Sequence, residues 1–124
     1  MYYRPLSGPQ LPDDIAQNFS HPHDALYVAT SKGEIVGFCG IRTQSEDRAV
    51  ASFVNGTVIP AFRGQGVYKD LFRIRETDAV KKGIRTFLAI TSHKNTKMKE
   101  LLLRNGFEVY TAEQPVAGFI HLRK

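Results

Sequence analysis

Between residues 25 and 60 the apolar positions come in short runs separated by polar turns, a strand pattern rather than a helical one. Residues 25–30 (ALYVAT) and 34–42 (EIVGFCGIR) read as two strands joined by the turn SKG at 31–33, a hairpin. A polar turn, 43–48, leads into a third strand, 49–60, and Gly56 inside it suggests a bulge or a close backbone approach. The period then changes. Val67, Leu71, Ile74 and Val80 recur at roughly helical spacing over 66–82, and Gly83 stops the helix. Residues 84–91 (IRTFLAIT) form the next strand. A helix follows over 95–105, with Asn95 as N-cap, Met98, Leu101 and Leu102 facing inward, and Gly106 as terminator. Residues 107–111 and 117–124 close the chain as strands. At the front, 2–6 reads as a first strand and 12–19 as a helix of barely two turns, opened by proline and two acids. The segment SHPHD, 20–24, breaks that pattern. The passage from strand 49–60 through its helix to strand 84–91 is expected to be a right-handed parallel crossover.

A chain of 124 residues with 42% hydrophobic and 23% charged positions is one ordinary globular domain, so 1–124 is treated as a single unit. The single cysteine, Cys39, excludes an internal disulfide and any multi-cysteine zinc site; it reads as a buried, reduced thiol. The N-terminus has no signal-peptide pattern and no apolar run approaches the ~20 residues of a membrane span, so a cytoplasmic protein without membrane association is expected. The net charge of +5 suits an anionic partner without choosing among a phosphate-bearing cofactor, nucleic acid and an acidic surface. Basic residues are scattered and no RNA-recognition aromatic signature is present, which argues against nucleic acid.

The segment VIPAFRGQGVYKDLF, 58–72, carries the most specific chemistry. Gly64 and Gly66 precede a helix start, where unpartnered N–H groups and partial positive charge favour a phosphate. Arg63 and Lys69 add charge beside it. The string is not a Walker loop, and a dinucleotide fingerprint would need glycine where Lys69 stands. On these residues alone, a phosphate cradle and a plain glycine-rich turn both remain open.

The wider pattern resembles the Gcn5-related N-acetyltransferase (GNAT) superfamily over nearly the whole chain. VIPAFRGQGVYKDLF is similar to that family's acetyl-CoA pyrophosphate loop, and NTKMKELLLRNGF to its second cofactor motif. LYVATSKGEIVGFCGIR is similar to its early hairpin. Tyr68 departs from the motif, which usually has Gly or Ala there. The resemblance implies an α/β (α+β) domain with a mixed, mostly antiparallel sheet of six to seven strands, splayed between the fourth and fifth. It implies acetyl-CoA as co-substrate, its pantetheine arm lying between residues 55–59 and 88–93. Backbone contacts would come from Thr57 and Val58, the Val58 N–H polarising the thioester carbonyl. The pyrophosphate would sit on Arg63, Gly64, Gln65, Gly66, Val67, Tyr68 and Lys69. Asn95 would bond the pantetheine amide region.

The family's usual glutamate base is missing from 49–60 and from 86–91, and Leu102 stands where the family's tyrosine acid usually does. His93, Tyr68 and Ser92 are the candidate proton-handling residues, with Tyr110 a further acid; otherwise proximity carries the reaction. His21 and His23 are read as exposed histidines, and no metal is expected. The acceptor-side region between the first two strands is short, which favours an open pocket and a protein lysine or other accessible amine over a small metabolite. A homodimer through 117–124 as a sheet edge is a further expectation. The function expected is an acetyl-CoA-dependent N-acetyltransferase; the alternative, motivated by the missing Glu and Tyr, is a non-catalytic acyl-CoA-binding module.

Overall fold

The hairpin expected at residues 25–42 forms around a two-residue turn in which both Lys32 and Gly33 have positive φ, 52° and 81°. That turn matches the twist of paired strands, and it explains the glycine. The structure is a computed structural model and describes residues 2–6 and 25–124. The expected helix at 12–19 and the segment 20–24, with His21 and His23, lie outside the described residues.

In chain order the described elements are β1 (Tyr2–Leu6), β2 (Ala25–Ser31), β3 (Glu34–Thr43), β4 (Val50–Val58), α1 (Val67–Lys81), β5 (Thr86–Ser92), α2 (Thr96–Arg104), β6 (Glu108–Val109) and β7 (Phe119–Arg123). Pro60–Phe62 makes one 3-10 turn between β4 and α1, and this ends the strand two residues before the boundary expected from the apolar run. The strands form one seven-stranded sheet in the order β1-β2-β3-β4-β5-β7-β6. Among the described strands only the β4–β5 pair is parallel, and α1 makes the crossover between them.

Two expectations are corrected here. The C-terminal strand is not a sheet edge: β7 lies between β5 and β6, pairing antiparallel with both, so its backbone groups are already engaged. The strand expected at 107–111 shrinks to Glu108–Val109, both exposed, while Phe107 just before it is buried in the core.

The core lies between the sheet and α1. The buried stripe of α1 is Val67, Leu71, Phe72, Arg75 and Ala79. Val80, expected to face inward, is 56% exposed. It stands one residue, about 100° around the helix, past Ala79. Phe53 on β4 anchors the packing, with ring centroids 5.2 Å from Phe72, 5.2 Å from Phe87 and 5.5 Å from Phe107. Fully burying one such ring is worth roughly 1.5–3 kcal/mol, so this aromatic cluster is a main source of the fold's stability. From α2, Leu102 is buried and Met98 and Leu101 pack partly against the same core. Cys39 is buried; its thiol donates to the Leu71 carbonyl at 3.6 Å, and burial pushes its pKa up, which makes it a packing residue and not a nucleophile.

Candidate active site

The central pair of strands comes apart. β4 and β5 are in register only at Val50–Thr86, Ala51–Phe87 and Ser52–Leu88. Beyond Leu88, β5 continues to Ser92 against β7 alone. β4 continues to Val58 against β3 alone. The cause is legible in the register of β4 on β3. Gly40 faces Val54 and Cys39 faces Gly56, so Asn55 is an extra residue with no partner across the ladder. Such a bulge bends and twists its strand, and here it turns β4 away from β5.

Backbone groups of β4 are left facing the opening. Ile59 N–H donates to Val36 O at 2.9 Å, toward β3. Alternation along the strand then turns the Val58 peptide groups the other way, into the gap. The Val58 carbonyl receives the Arg63 Nε–H at 2.8 Å. Arg63 therefore ties the loop to the strand with one edge of its guanidinium.

The loop itself is an open cradle. Gly64 and Gly66 have φ of 78° and 81°, a conformation that disfavours any side chain, and a Cβ at either would meet nothing within 4 Å. Gly66 caps α1 without a side-chain bond. The first amides of α1 therefore have no intrahelical partner and no blocking side chain. Val67 is buried, so only its backbone is placed for a ligand. Gln65 is exposed and donates to the Ala61 carbonyl at 3.3 Å. Lys69 lines a groove with Arg73 and Glu76 on the outer face of α1, away from the gap.

Behind the loop, α1 and α2 flank the gap and, with β4 and β5, line a half-open cavity of about 190 Å³. Phe53, Phe72, Met98 and Leu102 give it apolar walls, and Tyr68, Arg75, Thr91 and Asn95 supply the polar side chains. The Tyr68 ring points inward over the bulge, where a Cβ on Gly56 would stand 2.5 Å from the hydroxyl oxygen. Burial pushes the Tyr68 pKa up; Arg75 beside it works in the other direction without cancelling that effect. Asn95 caps α2, its Oδ1 accepting from Met98 N–H at 3.2 Å, and also lines the cavity, so capping and lining coexist in one residue.

The other candidates sit apart. His93 is exposed on the turn after β5, outside the cavity lining, and its backbone N–H donates to Gly118 O at 3.1 Å. Ser92 Oγ accepts from Lys94 N–H at 3.2 Å, which shapes the same turn. Tyr110 packs edge-on against His121, 6.1 Å between centroids, away from the gap. Thr57 is exposed on β4. Two polar lining residues escaped the sequence reading. Thr91, the last buried position of β5, lies among residues read only as strand. Arg75 follows Leu71 by four residues, a spacing that puts it on the buried face whatever its charge.

The sequence matches the acetyltransferase (GNAT) family over residues 1–107. The chain belongs to that family. No curated protein matches it. Among solved structures, an IAA acetyltransferase from Bacillus cereus ATCC 14579 superposes with a TM-score of 0.79 at 16% identity, covering 98% of this chain and 97% of that one. The GNAT domain of S. lividans PAT gives 0.73 at 23% identity, over 94% and 70% of the two chains. The PaiA N-acetyltransferase from Thermoplasma acidophilum, crystallised with coenzyme A, gives 0.68 at 19% identity, over 80% and 58%. At these identities the neighbours establish the shared fold: a single α/β GNAT-like domain with a mixed, mostly antiparallel seven-stranded sheet. The family uses acyl-CoA. Among the described residues no helix is long and apolar enough to cross a membrane.

Proposed function

We propose that the chain is an acyl-CoA-dependent N-acetyltransferase whose co-substrate enters the gap between β4 and β5. The observation that carries this reading is the parting of those strands after Ser52–Leu88 beside an unblocked helix start. The residues fit such a ligand. The open amides at Gly64, Gly66 and the first turn of α1 bind the diphosphate, with Arg63 charge beside them. The outward Val58 N–H is the donor proposed for the thioester carbonyl, while the Val58 carbonyl holds Arg63. Asn95, at the head of α2, reaches the same arm from the opposite wall.

In the transfer, the acceptor nitrogen forms a bond to the acyl carbon, the carbon–sulfur bond breaks, the amine loses a proton and the leaving thiolate gains one. Tyr68 is the donor proposed for that last proton. Its hydroxyl lies at the bulge, and burial keeps it protonated at neutral pH. Among the described residues lining the cavity there is no carboxylate or imidazole. In this reading the amine's proton passes to water or to His93 at the exposed turn, and positioning supplies most of the rate. A protein lysine or another accessible primary amine is the acceptor class proposed.

That same absence of a carboxylate or imidazole favours a second reading, an acyl-CoA-binding module without turnover. Release of free CoA thiol from acetyl-CoA, followed with a thiol reagent over a panel of lysine peptides and polyamines, separates the two. Amine-dependent release supports the transferase. Saturable acetyl-CoA binding without release for any amine supports the binder.

A further inference from the structure

Arg75 is the anomaly of the core. It is 2% exposed, on the buried stripe of α1, and it lines the cavity between the parted strands. Its guanidinium carbon stands 3.8 Å over the Phe53 ring and 5.0 Å from that of Phe72. One terminal nitrogen donates to Gly40 O at 3.3 Å, and the guanidinium also hydrogen-bonds the Tyr68 hydroxyl. Its Nε is buried without any hydrogen-bond partner. None of the ion pairs among the described residues includes it. The ionisable groups beside it are Tyr27, Cys39 and Tyr68, and burial holds each of them neutral.

A guanidinium does not escape this environment by losing its proton. Aromatic faces, one carbonyl and the neutral Tyr68 hydroxyl solvate it without a counter-charge among the described residues, and a buried charge left unpaired costs several kcal/mol. A core position that needed only bulk would be filled more stably by an apolar side chain of similar size. The position in the cleft shows what the charge can serve. From the open loop at 63–66, the gap runs past Tyr68 at Gly56, then past Phe53, to its closed end at Ser52–Leu88. Arg75 stands over Phe53, beside the Tyr68 hydroxyl. A ligand held by its diphosphate at the loop and its thioester at the bulge points its acyl tail at this cation.

We propose that the closed end of the cleft is selective for a short acyl group ending in a carboxylate, of the malonyl or succinyl class, with Arg75 as its counter-charge. The inference rests on the reading of the cleft as an acyl-CoA site. The apolar walls at Phe53 and Phe72 pass the methylene chain, and the guanidinium accepts the terminal carboxylate in a charge-assisted pair, for which its fork geometry is suited. An acyl group ending in a methyl leaves the cation as it is now.

Calorimetric titration of the wild-type chain with CoA, acetyl-CoA, butyryl-CoA, malonyl-CoA and succinyl-CoA tests this without knowledge of the acceptor. Succinyl-CoA or malonyl-CoA is expected to bind at least tenfold tighter than butyryl-CoA. In Arg75→Met that ratio falls to about one, while affinity for free CoA stays within twofold of wild type, which also shows that the variant is folded. Equal or tighter binding of butyryl-CoA by the wild type overturns the inference, with no variant needed. So does a carboxylate preference that survives Arg75→Met. Binding of CoA with no acyl preference removes this inference and leaves the cleft reading standing; no binding of CoA or any thioester removes both.

Discussion

Tyr68 and Gly56 are a mutually dependent pair: the phenol of one occupies the space where the other would carry a side chain, with a Cβ at 56 only 2.5 Å from the hydroxyl oxygen and 2.8 Å from the ring. Gly56 is needed for that approach, and the bulge beside it opens the strand pair. We expect Gly56→Ala to displace the ring and destabilise the fold by about 1–3 kcal/mol, the usual cost of overpacking. Chemical denaturation checks it. In a Tyr68→Ala background the same substitution is expected to cost much less, because the clashing atoms are gone.

Tyr68→Phe keeps the ring and removes the proton donor. If the hydroxyl protonates the departing thiolate, turnover falls by about 10²-fold, in the range for loss of a general acid. Acetyl-CoA affinity, measured by titration, is expected to stay within about twofold. Because burial raises the Tyr68 pKa, the wild-type rate is expected to show no descending limb from this group below pH ~10. A rate unchanged by Tyr68→Phe would remove the tyrosine as the acid.

Alkaline pH offers a test of the tyrosine–carboxylate pairs on the outer side of the core. Tyr3 donates to Asp70 at 2.9 Å, and Tyr27 donates to Asp78. Burial first, then the neighbouring carboxylate, pushes the Tyr3 pKa up to about 12 and the Tyr27 pKa still higher. Both hold their proton more firmly folded than unfolded. Their contribution is therefore fully present below the unfolded value near 10 and is lost as pH rises toward the folded values. Thermal unfolding between pH 8 and 12 is expected to show Tm falling above pH ~10, and less steeply in a Tyr3→Phe, Tyr27→Phe double variant. An equal slope in both proteins would contradict the assignment.

Much of this domain could be read along the chain because local pattern and tertiary structure agree. The alternation at 25–42, the capping asparagine at 95 and the glycines at 83 and 106 each specify an element by their own chemistry. Gly56 announced an irregularity, and the bulge stands directly before it at Asn55. The pairing of β7 between β5 and β6 was not legible, because strand order is set by contacts far apart in sequence and not by any residue type in 119–123. Reading α1 by hydrophobicity alone chose Val80 and passed over Arg75, since an arginine on the buried face contradicts the pattern that identifies the face. The cradle's openness was equally invisible: two glycines suggest freedom, but only coordinates show that nothing stands near either Cβ position.

The diphosphate cradle is tested most directly by calorimetric titration of acetyl-CoA into the wild-type chain and into Gly66→Glu. That substitution sets an acid at the head of α1, at a position with φ of 81°. A circular dichroism spectrum matching wild type is the control that shows the variant is folded. Saturable one-to-one binding by the wild type, weakened at least 100-fold in Gly66→Glu, is the predicted result. Absence of binding by the wild type, or equal affinity in both proteins, would contradict a ligand seated on those amides.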